Sequence, residues 1–175
     1  MVENALKEKL GTEVKISRVE IGLFNRAILH DVYIEDRQRT PMLTSNLMSA
    51  KIEYRALLDG RVSLRSVSLL DGKINLYKTK ADSAANYQFV LDAFKSDSKE
   101  PSHINLTLNS LIIRRLDFGY EEYYKPQTPG RLNASHLRVK RLNTNISLKT
   151  LTQYSINLRV RSLDFKEQSG LDVQS

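Results

Sequence analysis

From Glu13 onward, apolar and polar residues alternate along the chain with a period of two. That is the pattern of strands with one dry face and one wet face. Val14 and Ile16 begin it, and Val19, Ile21 and Leu23 continue it. After a turn-like FNRA it resumes in ILHDVYIE, residues 28–35. DRQRTP (36–41) reads as a polar turn, and residues 43–54 as another strand with Met48, Ala50, Ile52 and Tyr54 on one face. RALLD (55–59) predicts one helical turn ending at Gly60. RSVSLLDGKINLY (65–77) then alternates, breaks once at Asp71-Gly72 and alternates again. An Asp-Gly pair between two alternating runs predicts a hairpin.

The second half repeats the style. Ile104, Leu106 and Leu108, then Leu111 and Ile113, then Leu116, Phe118 and Tyr120 mark strands. Residues 121–131 form a loop holding two prolines, 132–148 give one or two strands, and 149–153 a short break. Ile156, Leu158 and Val160, then Leu163 and Phe165, close the pattern. Helical spacing occurs in only two longer places. Val2, Ala5, Leu6 and Leu10 predict a helix over 2–10 with Gly11 as its C-cap. Phe89, Val90, Ala93 and Phe94 predict an amphipathic helix over 86–94 with Asn86 as N-cap.

The expected fold is therefore mainly β with a few short helices, an elongated antiparallel meander of ten or more strands joined by short turns. Its organisation reads as the end of an N-terminal helix (1–12), a first β-repeat unit with its closing helix (13–94), a linker (95–103) and a second β-repeat unit (104–175). The pattern runs up to the C-terminus and the first helix starts abruptly, so the sequence reads as an excised piece of a longer chain. Three small helices are too few to cover the apolar side of so many strands. A phrase recurs: Arg or Asn, then Ser, an apolar alternation, a break and a second alternation. Ser66, Ser110 and Ser162 mark it at irregular spacing, and ISRVEIGLFNRAILHDVYI (16–34) is a weaker copy.

Composition narrows the chemistry. In 175 residues there is no Trp and no Cys, which excludes disulfides, zinc–thiolate sites and thiol catalysis. The net charge of +7, from 27 Lys+Arg against 20 Asp+Glu, favours anionic partners. The basic residues are spread out rather than clustered, so they read as solvated strand faces. His30, His103 and His136 lie far apart, without metal-ligand spacing. Asp31, Glu35 and Asp36 are interleaved with Val32 and Ile34 and followed by Arg37 and Arg39, and read as a solvated, locally neutralised strand end. The marker serines lack the context of an activated nucleophile, and the glycines are too isolated for a phosphate-cradling loop. The chain reads as non-enzymatic, with no cofactor.

One stretch resembles a known family. KLGTEVKISRVEIGLFNRAILHDVYIEDRQRTPMLTSNLMSAKIE, followed by LLDGRVSLRSVSLLDGKINLYK, is similar to the N-terminal region of AsmA-like and TamB proteins, particularly those of Bacteroidetes-type bacteria. The matching features are Lys9-Leu10-Gly11-Thr12 leading into Val19-Glu20-Ile21-Gly22, the segment from Leu29 to Asp36, Ser49-Ala50-Lys51-Ile52, the turn at residues 57–60 and Asn86 to Phe89. The resemblance covers about residues 7–94 and continues beyond only as a style of repeat. It implies a periplasmic location and an inner-membrane anchor through an N-terminal helix. It also implies a curved β-sheet with a U-shaped apolar groove, phospholipid transport toward the outer membrane, and an outer-membrane β-barrel partner for assembly.

On that expectation phospholipid acyl chains are the ligand. The alternation nominates Val19 and Ile21 in the first strands, Val67, Leu69, Ile74 and Leu76 around Asp71-Gly72, Leu111, Ile113 and Phe118 in the second unit, and Ile156, Leu158 and Val160 near the end. Arg65, Arg114, Arg159 and Arg161 are the nearest bases for a phosphate head group at a rim, although alternation puts several on the outer face. Two other readings stay open. One is a structural adaptor that binds a protein partner by strand addition. The other, nucleic-acid or polysaccharide binding, is disfavoured because the aromatic residues gather in a loop rather than alternating with arginines.

Overall fold

A computed structural model describes residues 2–23, 26–52, 62–93, 104–105, 110–151 and 156–174. The first helix, α1 (Val2–Leu10), ends where Gly11 takes a left-handed φ of 64° and returns its amide to the Lys7 carbonyl. Short strands β1 (Val14–Lys15) and β2 (Arg18–Gly22) lead into β3 (Arg26–Glu35), β4 (Pro41–Ile52) and the long β5 (Val62–Lys78). Helix α2 (Gln88–Ala93) follows, then β6 (Ile104–Asn105), β7 (Ser110–Glu122), β8 (His136–Leu151), β9 (Ile156–Glu167) and β10 (Asp172–Val173). Among the described residues no helix is long and apolar enough to cross a membrane. The expected helical turn at 55–59 and the loop at 95–103 lie outside the described residues.

The strands form an open sheet in the order β1-β3-β4-β5-β7-β8-β9-β10, with β2 on β3 and β6 on β5. The chain is mainly β, as its alternation predicts. Its sheet is mixed, however, because β6 and β7 run parallel to β5 while the other seams are antiparallel. A parallel neighbour needs a long crossover, and the segment carrying α2 supplies it. The architecture is thus two three-stranded meanders, β3-β4-β5 and β7-β8-β9, set side by side in the same direction.

The Asp71-Gly72 hairpin does not exist. RSVSLLDGKINLY is a single strand, and so is SLIIRRLDFGYEE. The recurring phrase is the two strands' shared register: Ser66 faces Ser110, Val67 faces Leu111, Leu69 faces Ile113, Ile74 faces Phe118 and Leu76 faces Tyr120.

The break inside each phrase is a crease. Asp31 in β3, Asp71 in β5, Arg115 in β7 and Arg141 in β8 all take left-handed φ values between 49° and 54°. The paired residues on either side place Asp31 and Asp71 at the same level of β4, opposite Asn46, with Arg115 beside Asp71. One residue out of phase reverses the alternation. Residues five apart across the crease therefore share a face, as Leu69 and Ile74 do in β5, Leu43 and Met48 in β4, and Ile113 and Phe118 in β7. All six belong to one apolar cluster around Leu116. Gly72 stands in the crease for want of room rather than for its φ: a Cβ there would lie 2.1 Å from the Thr44 carbonyl oxygen.

Candidate functional site: the apolar face

Directly opposed residues across a sheet share a face, so the registers trace apolar rows. Above the crease run Leu29, Met48, Leu69, Ile113 and then Thr144, and a second row holds Ala27, Ala50, Val67, Leu111, Ile146 and Val160. Below it run Ile34, Leu43, Ile74, Phe118 and Val139. The stripe spans seven strands from β2 to β9. With strands spaced about 4.8 Å apart, that is roughly 29 Å across.

Its two ends along the strands differ. At the lower end α1 and α2 pack on the sheet, where Leu10, Val14, Met42 and Phe89 form a buried cluster with Ile34 and Leu76 against it. The middle is buried around Leu69, Ile113 and Leu116. At the β2 side the face opens, with Val19 41%, Ile21 74% and Leu23 83% exposed, and at the β9 side Val160 is 45% exposed.

Most of the nominated residues therefore share one face. Val19, Ile21, Val67, Leu69, Leu111, Ile113 and Val160 lie in the rows above the crease, and Ile74 and Phe118 join them below it. Ile156 and Leu158 precede Val160 in β9 and pair in register with Leu151 and Leu148, and their side chains lie outside the described residues. Leu76, two residues beyond Ile74 on the same face, packs with Ile34 into the helix-covered end. Leu29, Leu43, Met48 and Leu116 also belong to the face, but simple alternation does not carry it from one side of the break to the other. The signal that finds them is the five-residue spacing across each break.

The polar groups hold the frame. Asp36, 1% exposed, is no solvated strand end. Its carboxylate accepts from the Gln38 and Thr40 amides at 2.8 and 2.9 Å, from the Tyr77 hydroxyl at 2.7 Å and from Asn86 Nδ2 at 3.3 Å. Burial first, and then the bond to Asp36, push the Tyr77 phenol up to about 12. Arg37 and Arg39 are exposed. Asn86 is not an N-cap either. Its side chain accepts from the Tyr77 amide at 2.9 Å and donates to the Asn75 carbonyl at 3.1 Å, tying the approach to α2 to β5.

At the far corner Glu121 meets His136 Nδ1 at 2.6 Å and Arg138 Nε at 3.0 Å. His136 Nε2 lies 2.9 Å from the Lys125 carbonyl oxygen, so both ring nitrogens face acceptors and the imidazolium form satisfies both. The Glu121 bond raises the His136 pKa above its ordinary value. Burial works to raise the Glu121 carboxyl, but His136 and Arg138 hold it below the usual carboxylate range. A cleft of about 470 Å³ opens here, lined by Glu121, Arg131, His136, Arg138 and Glu167 among others. Its lining is too polar for a hydrocarbon chain.

The histidines make no common site. His30 faces Glu20 at 3.6 Å, His136 belongs to the corner, and His103 lies outside the described residues. Among the described residues no three His, Asp or Glu side chains are grouped to hold a metal ion. Of the arginines nominated for a head group, Arg114 is engaged with the carbonyls of Ile113 and Thr144, at 2.9 and 3.3 Å. Arg159 and Arg161 are exposed, and the Arg65 side chain lies outside the described residues. Comparison of the chain with family models, curated proteins and solved structures finds no match.

Proposed function

We propose that this chain is a non-enzymatic, periplasmic segment of an AsmA/TamB-like envelope protein, and that its apolar face is a wall along which phospholipid acyl chains lie. The observation that carries the reading is the unbroken apolar stripe across seven strands, covered by α1 and α2 at one end and reaching exposed Ile21 and Val160 at its sides. Its middle is buried, but its β2 margin leaves Val19, Ile21 and Leu23 open together, the kind of apolar patch that soluble monomers seldom expose without a use. An acyl chain on such a surface gains about 0.8 kcal/mol for each methylene buried, so a few methylenes give binding without polar recognition. Selection among head groups would then be weak. Arg159, opposite Ser147, lies on the other face of the sheet from Val160, so a phosphate would reach it only around the β9 edge.

The test is titration with a phosphatidylethanolamine carrying an environment-sensitive fluorophore on one acyl chain. Leu111→Glu, at a half-buried position on the face, should weaken binding about tenfold or more, since an unpaired charge against hydrocarbon is costly. Ser66→Glu, one residue from Val67 and on the opposite face beside Lys51, should leave binding unchanged. Equal binding by wild type and Leu111→Glu would sink the proposal.

A further inference from the structure

The two meanders end in equivalent strands. β5 closes the first and β9 the second, and both carry the recurring phrase: RSVSLLDG in β5, RSLDF in β9. Their outer edges differ. β5 is covered along residues 66–78 by β7, in parallel. Among the described residues, β9 is covered on that side only by β10, at Phe165 and Lys166. Residues 156–164 have no described neighbour there, while Arg159, Val160 and Arg161 are exposed. An open edge of this length is a template for another strand, and basic side chains commonly guard such edges against indiscriminate pairing.

The β5–β7 seam states what a proper partner looks like. At the crease, Asp71 of β5 receives Arg115 of β7 through two bonds of 2.7 Å, from Nε and Nη2. The polar row continues outward. The Arg115 amide donates to Asn143 Oδ1 at 2.9 Å, and Asn143 Nδ2 lies 3.4 Å from Asp164 Oδ2. The row ends on Asp164 in β9, which meets no basic side chain among the described residues. Asp164 thus lies at crease level on the last strand of its meander, as Asp71 does, although without the left-handed φ of Asp71 and two rather than five residues after its marker serine, and it lacks the arginine that Asp71 has.

We infer that the upper edge of β9 is an acceptor for one further parallel strand of the β7 kind. Such a strand has a serine at its start, alternating apolar residues, and a basic residue at a left-handed break that pairs with Asp164. The backbone ladder supplies affinity, and the basic residue at the break fixes register. The inference does not rest on lipid binding. It would hold for a chain whose apolar face bound nothing.

The probe is a fluorescein-labelled peptide of residues 109–116, NSLIIRRL, titrated against the whole chain and read by anisotropy. Wild type should bind it, and Asp164→Arg should weaken binding about tenfold or more through like-charge contact. A peptide with Arg115→Asp should show the reverse preference, binding Asp164→Arg better than wild type. Asp164→Asn, which keeps the shape of the side chain, should fall between the two. Matching circular dichroism and urea midpoints confirm that each variant is folded. Reversed preferences support the acceptor edge. Absence of binding up to the peptide's solubility limit, or equal binding in all combinations, overturns it.

Discussion

The crease gives a sharp test at Gly72. In Gly72→Ala the new Cβ would stand 2.1 Å from the Thr44 carbonyl oxygen and 2.9 Å from Ser45 Cα, both backbone atoms of β4. An ordinary contact begins near 3.4 Å, so the β4–β5 seam must open by more than an ångström in the middle of the sheet. Overpacking alone costs about 1–3 kcal/mol. Stretching the two or so ladder bonds beside Gly72 adds about 1 kcal/mol each. The sum, about 3–5 kcal/mol, is a large share of the 5–15 kcal/mol typical of a domain. At roughly 2–4 °C per kcal/mol for a chain of this size, Tm should fall by about 6–20 °C. Gly119→Ala is the control, because its Cβ meets nothing nearer than 3.6 Å. It should be neutral or stabilise by about 0.5 kcal/mol through the unfolded state. Urea denaturation followed by far-UV circular dichroism measures both. A Gly72→Ala variant within 1 kcal/mol of wild type, by the scale of ordinary surface substitutions, would refute the close approach and with it the crease.

Other outcomes follow from the same geometry. Arg141→Gly should stabilise by about 1 kcal/mol in the same assay, because a left-handed backbone is costly for arginine and free for glycine. The Arg141 amide keeps its 3.1 Å bond to Asp117. Asp36→Ala should destabilise by about 3 kcal/mol, since it strands several donors that the buried carboxylate satisfies, whereas Tyr77→Phe should cost about 1 kcal/mol. The His136 pKa is raised in the folded chain, so its contribution to stability is complete below the unfolded value of about 6.5 and disappears as pH climbs through the folded value. The gap in urea midpoint between wild type and His136→Gln should therefore be widest near about pH 6 and close at alkaline pH. Nuclear magnetic resonance titration of the ring gives the folded value directly.

Much of the fold is written in the period-two alternation, and the reasons for the misses are local. Asp71-Gly72 carries two properties that a hairpin also needs, an aspartate tolerant of left-handed φ and a residue without a Cβ. A crease uses both, the first at Asp71 and the second where β4 crowds Gly72. Nothing within that dipeptide distinguishes turning back from carrying on. The larger pattern does, because the break recurs at Arg115 at the same distance from the marker serine, and a strand shared with a parallel neighbour must keep that distance. Arg115 and Arg141 hide the crease further, since neither residue favours left-handed φ and only the sheet imposes it. The parallel seam is equally silent, because successive strands ordinarily pair antiparallel. At the apolar face, alternation finds Leu69 and Leu111 and groups Met48 with Ala50, but it loses phase at each break, so the face that Met48 shares with Leu43 and Leu29 with Ile34 escapes it. Leu76 alternates correctly and still faces a covered end, because α1 and α2 fold back over it, which alternation within β5 does not show. Asp36 looks like a surface acid among arginines. Its burial depends on Tyr77 and Asn86, residues brought to it only by the fold.

Whether the stripe carries lipid is read without any label by native mass spectrometry of the purified chain, combined with organic extraction of the same sample. Phospholipid-bound species should appear in the wild type and phospholipid in its extract, and both should be lost in Leu111→Glu but not in Ser66→Glu. A folded, lipid-free chain that takes up no added phospholipid, with Leu111→Glu indistinguishable from wild type, would contradict lipid binding by the stripe.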